Sequence, residues 1–138
     1  MPLDLSSLQK AINSLDRAIN IASSLKGTIN HEHEEVIRAG VIQNFEFTYE
    51  LCWKFIKRWL EKNAGNSGID GVTRRELFRI GAEHQLINDV ERWFEYHGAR
   101  NEITHTYDEE KAEDVYGFAI RFLNDAKDLL KRLEAKND

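Results

Sequence analysis

The sequence predicts an all-α fold, an up-and-down antiparallel bundle of five helices, four long and one short. Three observations lead there. Pro2 is the only proline and there are eight glycines in 138 residues, so almost nothing interrupts a helix. Apolar side chains recur at spacings of three and four along most of the chain. Ser, Thr, Asn or Asp stands just ahead of several of these stretches, where helix caps belong. At this length a single domain over residues 1–138 can bury about two thirds of its unfolded surface, without disulfide or metal. A composition of 41% apolar and 31% charged residues is that of a globular chain.

The first helix is expected near Ser6, where Ser6-Ser7-Leu8-Gln9 reads as a capping box. Leu8, Ile12, Leu15, Ile19 and Ala22 form its stripe, and Gly27 ends it. His31-Glu32-His33-Glu34-Glu35 reads as a solvated lead-in to the second helix, from about Glu34 to Asn63. That helix has one narrow polar stripe, Gln43, Glu46, Glu50, Lys54, Lys57 and Glu61. Phe45, Phe47, Tyr49, Leu51, Trp53, Phe55, Ile56 and Trp59 surround it. A helix so apolar must be covered on several sides, by the bundle and by a second chain, so homodimerisation is expected.

Residues 64–71 form a glycine-rich loop without a phosphate-loop lysine. Thr73-Arg74-Arg75-Glu76 is a second capping box, opening a short third helix that ends near His84 or Gln85. Asn88-Asp89-Val90-Glu91 opens the fourth, with Val90, Trp93, Phe94 and His97 expected toward the core. The fifth starts at Asp108, with Glu109 and Glu110 suiting the positive end of its dipole. Ala112, Val115, Ala119, Phe122, Ala126, Leu129 and Leu133 form its buried stripe.

Net charge is −5, from 19 basic and 24 acidic residues, which disfavours tight sequence-blind binding to nucleic acid. Arg74, Arg75 and Arg79, opposed only by Glu76, read either as a solvated helix face or as a local phosphate track. Cys52 is the one cysteine and sits in an apolar run, so it is expected as a small buried hydrophobe. No apolar stretch approaches the roughly 20 residues that cross a bilayer, and the N-terminus lacks the marks of a secretory signal, so a cytoplasmic location without membrane attachment is expected. His31 and His33 lack the HExxH spacing and any cysteine partner, so no metal or cofactor is expected. Trp53, Trp59 and Trp93 are expected in the core or a dimer interface.

The chemically pointed segment is Arg100-Asn101-Glu102-Ile103-Thr104-His105-Thr106-Tyr107, where the fourth helix should give way to the fifth. Arg100 carries a permanently charged fork that matches two phosphate oxygens. His105 has the side chain whose ordinary pKa, about 6.5, lets it give or take a proton near neutrality. If the helix persists through Thr104, Asn101 shares a face with His105 at i, i+4 and can orient either group. Arginine plus histidine suffices in principle for metal-free RNA cleavage, supplying a base for the 2′-hydroxyl and a cation for the phosphate. The same residues equally suit a helix cap and a hydrogen-bonded turn. Glu50 is either a wall of the same cleft or an i, i+4 partner of Lys54.

The run Phe45-Glu46-Phe47-Thr48-Tyr49-Glu50-Leu51-Cys52-Trp53-Lys54, then Trp93, then Arg100-Asn101 with His105-Thr106-Tyr107, resembles the HEPN superfamily. Within it the chain looks most like the branch of nucleotidyltransferase substrate-binding proteins, from Leu5 to Leu133 in matching helical order. The resemblance implies a dimerising up-and-down bundle that pairs with a separate minimal nucleotidyltransferase, often encoded next door, as in toxin–antitoxin-like modules. It implies that Arg100 and His105 occupy the cleavage positions of ribonuclease members. It also places Tyr107 where some toxin members are adenylylated by the partner. The leading expectation is therefore a partner or substrate-binding subunit that either presents substrate to the nucleotidyltransferase or is its AMP acceptor at Tyr107. A metal-independent ribonuclease using Arg100, Asn101 and His105 is the alternative, and a purely structural dimer the third reading.

Overall fold

The computed structural model describes residues 2–65, 69–105 and 109–137; of 103–105 and 109–116 it describes the backbone alone. The described residues form α1 (Ser6–Leu25), α2 (His31–Asn63), α3 (Arg74–Glu83), α4 (Val90–His105) and α5 (Glu109–Ala135), with no strand among them. The fold is the all-α bundle that the sequence predicts, with α3 as its short member.

Directions follow from side-chain pairings. Thr48 donates to the Ala11 carbonyl and Ser14 to Asn44, so residue numbers rise along α2 as they fall along α1. Tyr96 and Arg92 both reach Asp125, and Arg121 reaches Glu95, which sets α4 against α5 in opposite directions. Phe45 meets Phe122 while Trp59 lies near the Lys136 carbonyl, so α2 and α5 run parallel, as the second and fourth of the four long helices in an up-and-down bundle must.

The caps correct the sequence reading at two places. Ser6 is already inside α1; the flanking residue is Leu5, and the Asp4 carboxylate accepts from the Ser6 N–H at 3.0 Å. Hydrogen bonding to the Ser6 side chain first, and then to its backbone, holds the Asp4 carboxyl below its usual range. The expected Ser6–Gln9 box does not form, because a serine in helical conformation cannot fold back to cap its own first turn. α2 begins three residues earlier than expected. Asn30 caps it by accepting from the His33 N–H at 2.9 Å, so the stretch read as a solvated lead-in is the exposed first turn. Asp89 caps α4 through the N–H groups of Glu91 and Arg92. Asp108, the expected start of the fifth helix, lies outside the described residues.

Thr73 caps α3 as predicted, its hydroxyl accepting from the Glu76 N–H at 3.2 Å, while the Glu76 carboxylate faces Arg79. Thr73→Ala is expected to cost about 1 kcal/mol in urea denaturation, the usual worth of such a cap. An unchanged midpoint would show that packing alone holds the helix start.

The core is one continuous cluster running from Leu8 to Leu133. Phe45, Tyr49, Cys52, Phe55, Ile56 and Leu60 are sunk in it from α2. Burial pushes the Cys52 thiol well up and leaves it a small hydrophobe. α5 contributes Ala119, Phe122, Ala126, Leu129 and Leu133 of its expected stripe; the side chains of Ala112 and Val115 lie outside the described set. One chain covers much of α2 but leaves Phe47 61% and Val36 71% exposed on it.

Of the four α4 residues expected toward the core, Trp93 is buried, whereas Val90 and Phe94 are half-buried. His97 is the exception. It is half-buried and hydrogen-bonded in a polar network, while its neighbour Tyr96 takes the core position. Helical rotation explains this: Trp93 and Tyr96 share the face turned to Phe122, and residue 97 lies about 100° further round, toward α2 and α3.

Candidate functional site

The site is built where three helices meet. Glu46, Tyr49, Glu50 and Trp53 fall at spacings of three and four on α2 and so share one face. Thr73 fixes the start of α3 and thereby sets Arg74 as its first residue, opposite that face. α4 contributes His97, Arg100 and Asn101, one turn apart.

A continuous polar chain joins them. Arg100 Nε donates to Glu50 Oε1 at 3.0 Å, and Trp53 Nε1 donates to Glu50 Oε2 at 2.9 Å. The Arg74 guanidinium lies 3.6 Å from the centre of the Trp53 ring and donates to the Tyr49 hydroxyl at 3.2 Å. Tyr49 Oη is 2.8 Å from His97 Nδ1, and His97 Nε2 is 3.3 Å from the Asn101 side-chain amide. Arg75 and Arg79 extend the basic edge, their guanidiniums 4.6 and 5.4 Å from the centre of the Phe94 ring. Stacking on aromatic faces limits the side-chain freedom of these arginines, so less entropy remains to be lost on binding.

The groups respond to one another electrostatically. Burial pushes the Tyr49 phenol well up, so it stays protonated, with the Arg74 hydrogen bond opposing the shift only in part. Burial, together with the charges of Arg74, Arg75 and Arg100, holds His97 below the usual imidazole value against the opposing pull of Glu50. Burial raises the Glu46 carboxyl, with Glu50 adding to the rise and Arg100 opposing it. Among the described residues, no three His, Cys, Asp or Glu side chains come together as a metal cage.

Of the residues singled out in the sequence, Arg100 and Glu50 are in direct contact, both about 30% exposed. Glu50 turns to Arg100 and Trp53 and away from Lys54, whose ammonium instead lies 5.8 Å from the Trp53 ring centre. Asn101 is exposed beside His97. α4 extends to His105, so its backbone puts residues 101 and 105 on one face; the His105 side chain lies outside the described residues, as does Tyr107 altogether. Trp53 is a wall of this site and Trp59 is half-buried, leaving only Trp93 of the three in the deep core.

Sequence reasoning missed Tyr49, Arg74 and His97 as members of the site. Spacing predicts Tyr49 and His97 as core, which holds for the buried Tyr49 ring but leaves its hydroxyl unassigned. Arg74 enters the sequence reading only within a basic helix face or phosphate track, without its contacts to Tyr49 and Trp53. The available signal was a register argument: Tyr49 and Trp53 flank Glu50 on its own stripe.

Against known proteins, residues 3–135 match the family described as nucleotidyltransferase substrate binding protein like. A curated relative, probable ribonuclease HepT of Haemophilus influenzae, is 38% identical over 105 residues, covering 75% of this chain and 72% of the relative. A solved Haemophilus influenzae structure, described as revealing the fold of a substrate binding domain of a nucleotidyltransferase, superposes with a TM-score of 0.89. It is 34% identical, over 95% of this chain and 99% of the other. A protein from Thermus thermophilus shares the fold, with a TM-score of 0.66 at 23% identity over 86% of this chain and 98% of its own. With a match across nearly all of its helices and a relative well above 30% identity, the chain belongs to the nucleotidyltransferase substrate binding protein like family.

Proposed function

We propose that this protein is the helical partner of a separate minimal nucleotidyltransferase, acting as a homodimer that either presents substrate to the enzyme or serves as its AMP acceptor at Tyr107. The observation that carries this reading is family membership across residues 3–135, together with the close likeness to a chain described as a substrate binding domain of a nucleotidyltransferase. Phe47 and Val36, left exposed on the longest helix, support a second chain covering α2. In the acceptor role the Tyr107 phenol oxygen bonds to the α-phosphorus of a nucleoside triphosphate held by the partner. Pyrophosphate leaves, and the phenolic proton passes to a base or to water.

Co-expression with a minimal nucleotidyltransferase from the same genome tests this directly. The two chains should co-purify, and intact-mass measurement should show an addition of about one AMP that Tyr107→Phe abolishes. Repeated failure to associate would remove the partner role. Association with an unchanged mass would leave substrate presentation and exclude the acceptor.

A second reading is metal-independent RNA cleavage by Arg100, Asn101 and His105, favoured by the relative named probable ribonuclease. His105 would take the 2′-hydroxyl proton and Arg100 would hold the phosphate, with a second copy's histidine supplying the acid.

A further inference from the structure

The hydrogen inventory of the Arg74–Tyr49–His97–Asn101 chain has one economical solution. A guanidinium only donates, so the Tyr49 oxygen accepts from Arg74 Nη1 and keeps its own hydrogen to give away. Tyr49 is fully buried, and among the described residues its hydroxyl has one other partner, His97 Nδ1 at 2.8 Å. If Nδ1 carried the ring proton, two donors would converge on the Tyr49 oxygen and its buried hydrogen would have no acceptor, a cost of about 1–3 kcal/mol. Nδ1 is therefore the bare, accepting nitrogen, and the neutral ring carries its proton on Nε2. Burial first, then the arginines facing the ring (Arg74 and Arg75 from α3, Arg100 from α4), lower its pKa and favour the neutral form, against Glu50 of α2.

Among the described residues, the side chain beside Nε2–H is the amide of Asn101, 3.3 Å away. The Asn101 amide is exposed, so a half-turn about its Cβ–Cγ bond exchanges nitrogen and oxygen at little cost, bringing the carbonyl to Nε2. We infer that His97 is a positioning residue: held by Tyr49 as the Nε2–H tautomer, it binds the Asn101 carbonyl and turns the amide N–H2 group outward, so that the site presents donors to a phosphoryl group. The Asn101 amide then adds neutral donors beside the Arg100 fork, a pairing suited to oxygens that accept and do not donate. This rests on the reading of Arg100 and Asn101 as ligand-facing, and it adds which atoms face the ligand and what holds them so.

Nitrogen NMR on the full-length labelled protein, at about pH 8 where imidazole is neutral, tests both halves. Long-range proton–nitrogen correlations of His97 should show Nε2 protonated and Nδ1 bare, and Tyr49→Phe should turn this into a tautomer mixture. A wild-type ring protonated on Nδ1 overturns the positioning role even if Tyr49→Phe fails to fold. Inorganic phosphate is then titrated while the Asn101 amide and Arg100 Nε–H resonances are followed. His97→Phe should weaken phosphate binding about tenfold, the worth of one donor to a charged oxygen, and His97→Gln, whose amide can still donate to Asn101, should restore most of it. Equal affinity in wild type and His97→Phe overturns the positioning role. No phosphate binding by the wild type overturns the ligand class together with the ribonuclease reading of Arg100 and Asn101 beneath it, and the tautomer result tells the two failures apart.

Discussion

Trp93→Ala is expected to remove about 3–5 kcal/mol of stability, the usual cost of truncating a large buried aromatic. Trp93 is 1% exposed, and its ring centre lies 5.6 Å from that of Phe78, 5.5 Å from Tyr96 and 5.9 Å from Phe122. Phe122 in turn meets Phe45 edge-on at 4.9 Å, so one indole joins α3, α4 and α5 and, through Phe122, reaches α2. Truncation leaves a cavity at the crossing of four helices, and none can close it without losing contact with another. Urea denaturation should show the loss as a lower midpoint with an unchanged slope. Against the 5–15 kcal/mol typical of whole domains, about 4 kcal/mol brings the variant close to unfolding. A loss below about 1.5 kcal/mol would mean that the cluster relaxes and that the Trp93 junction does not organise the bundle. Trp59, half-buried at the bundle edge, should cost clearly less.

Where the ribonuclease reading holds, Arg100→Ala and His105→Ala are each expected to lower RNA cleavage by about 10²–10³-fold, the range seen when one transition-state donor is removed. Growth arrest on expression should disappear with either. The folding cost of Arg100→Ala should stay within about 1 kcal/mol, because its pair with Glu50 is 28% and 30% exposed and solvent screens it. Activity and stability are thereby separated: a folded, inactive variant supports the reading. Equal toxicity of wild type and His105→Ala, or none from either, removes it and leaves the partner subunit. A large loss of stability in Arg100→Ala would instead favour a structural role for the pair.

Much of this could be read without coordinates. Helical spacing in α1 and α5 gave the buried stripes, Thr73 the start of α3, and the scarcity of breakers the all-α class, because each rests on contacts within a few residues of one another. Where competing local caps were available, the local reading slipped: Asp4 displaced Ser6, and Asn30 opened α2 ahead of Glu34. The site was legible only in part. Arg100 and Glu50 carry charge and invite attention, but their contact at 3.0 Å spans 50 positions and three-dimensional packing alone creates it.

The sequence by itself determined the helical class, the buried stripes and the family, all of which are encoded in local periodicity and short motifs. Tertiary structure alone decided that Tyr49, buried in the core as its spacing predicts, turns its hydroxyl into a polar chain from Arg74 to Asn101, and that His97, expected in the core, belongs to that chain. The physical reason is rotation and register. A histidine one position past a buried tyrosine faces another helix, and whether it finds hydrocarbon or a hydroxyl there depends on how α2, α3 and α4 pack.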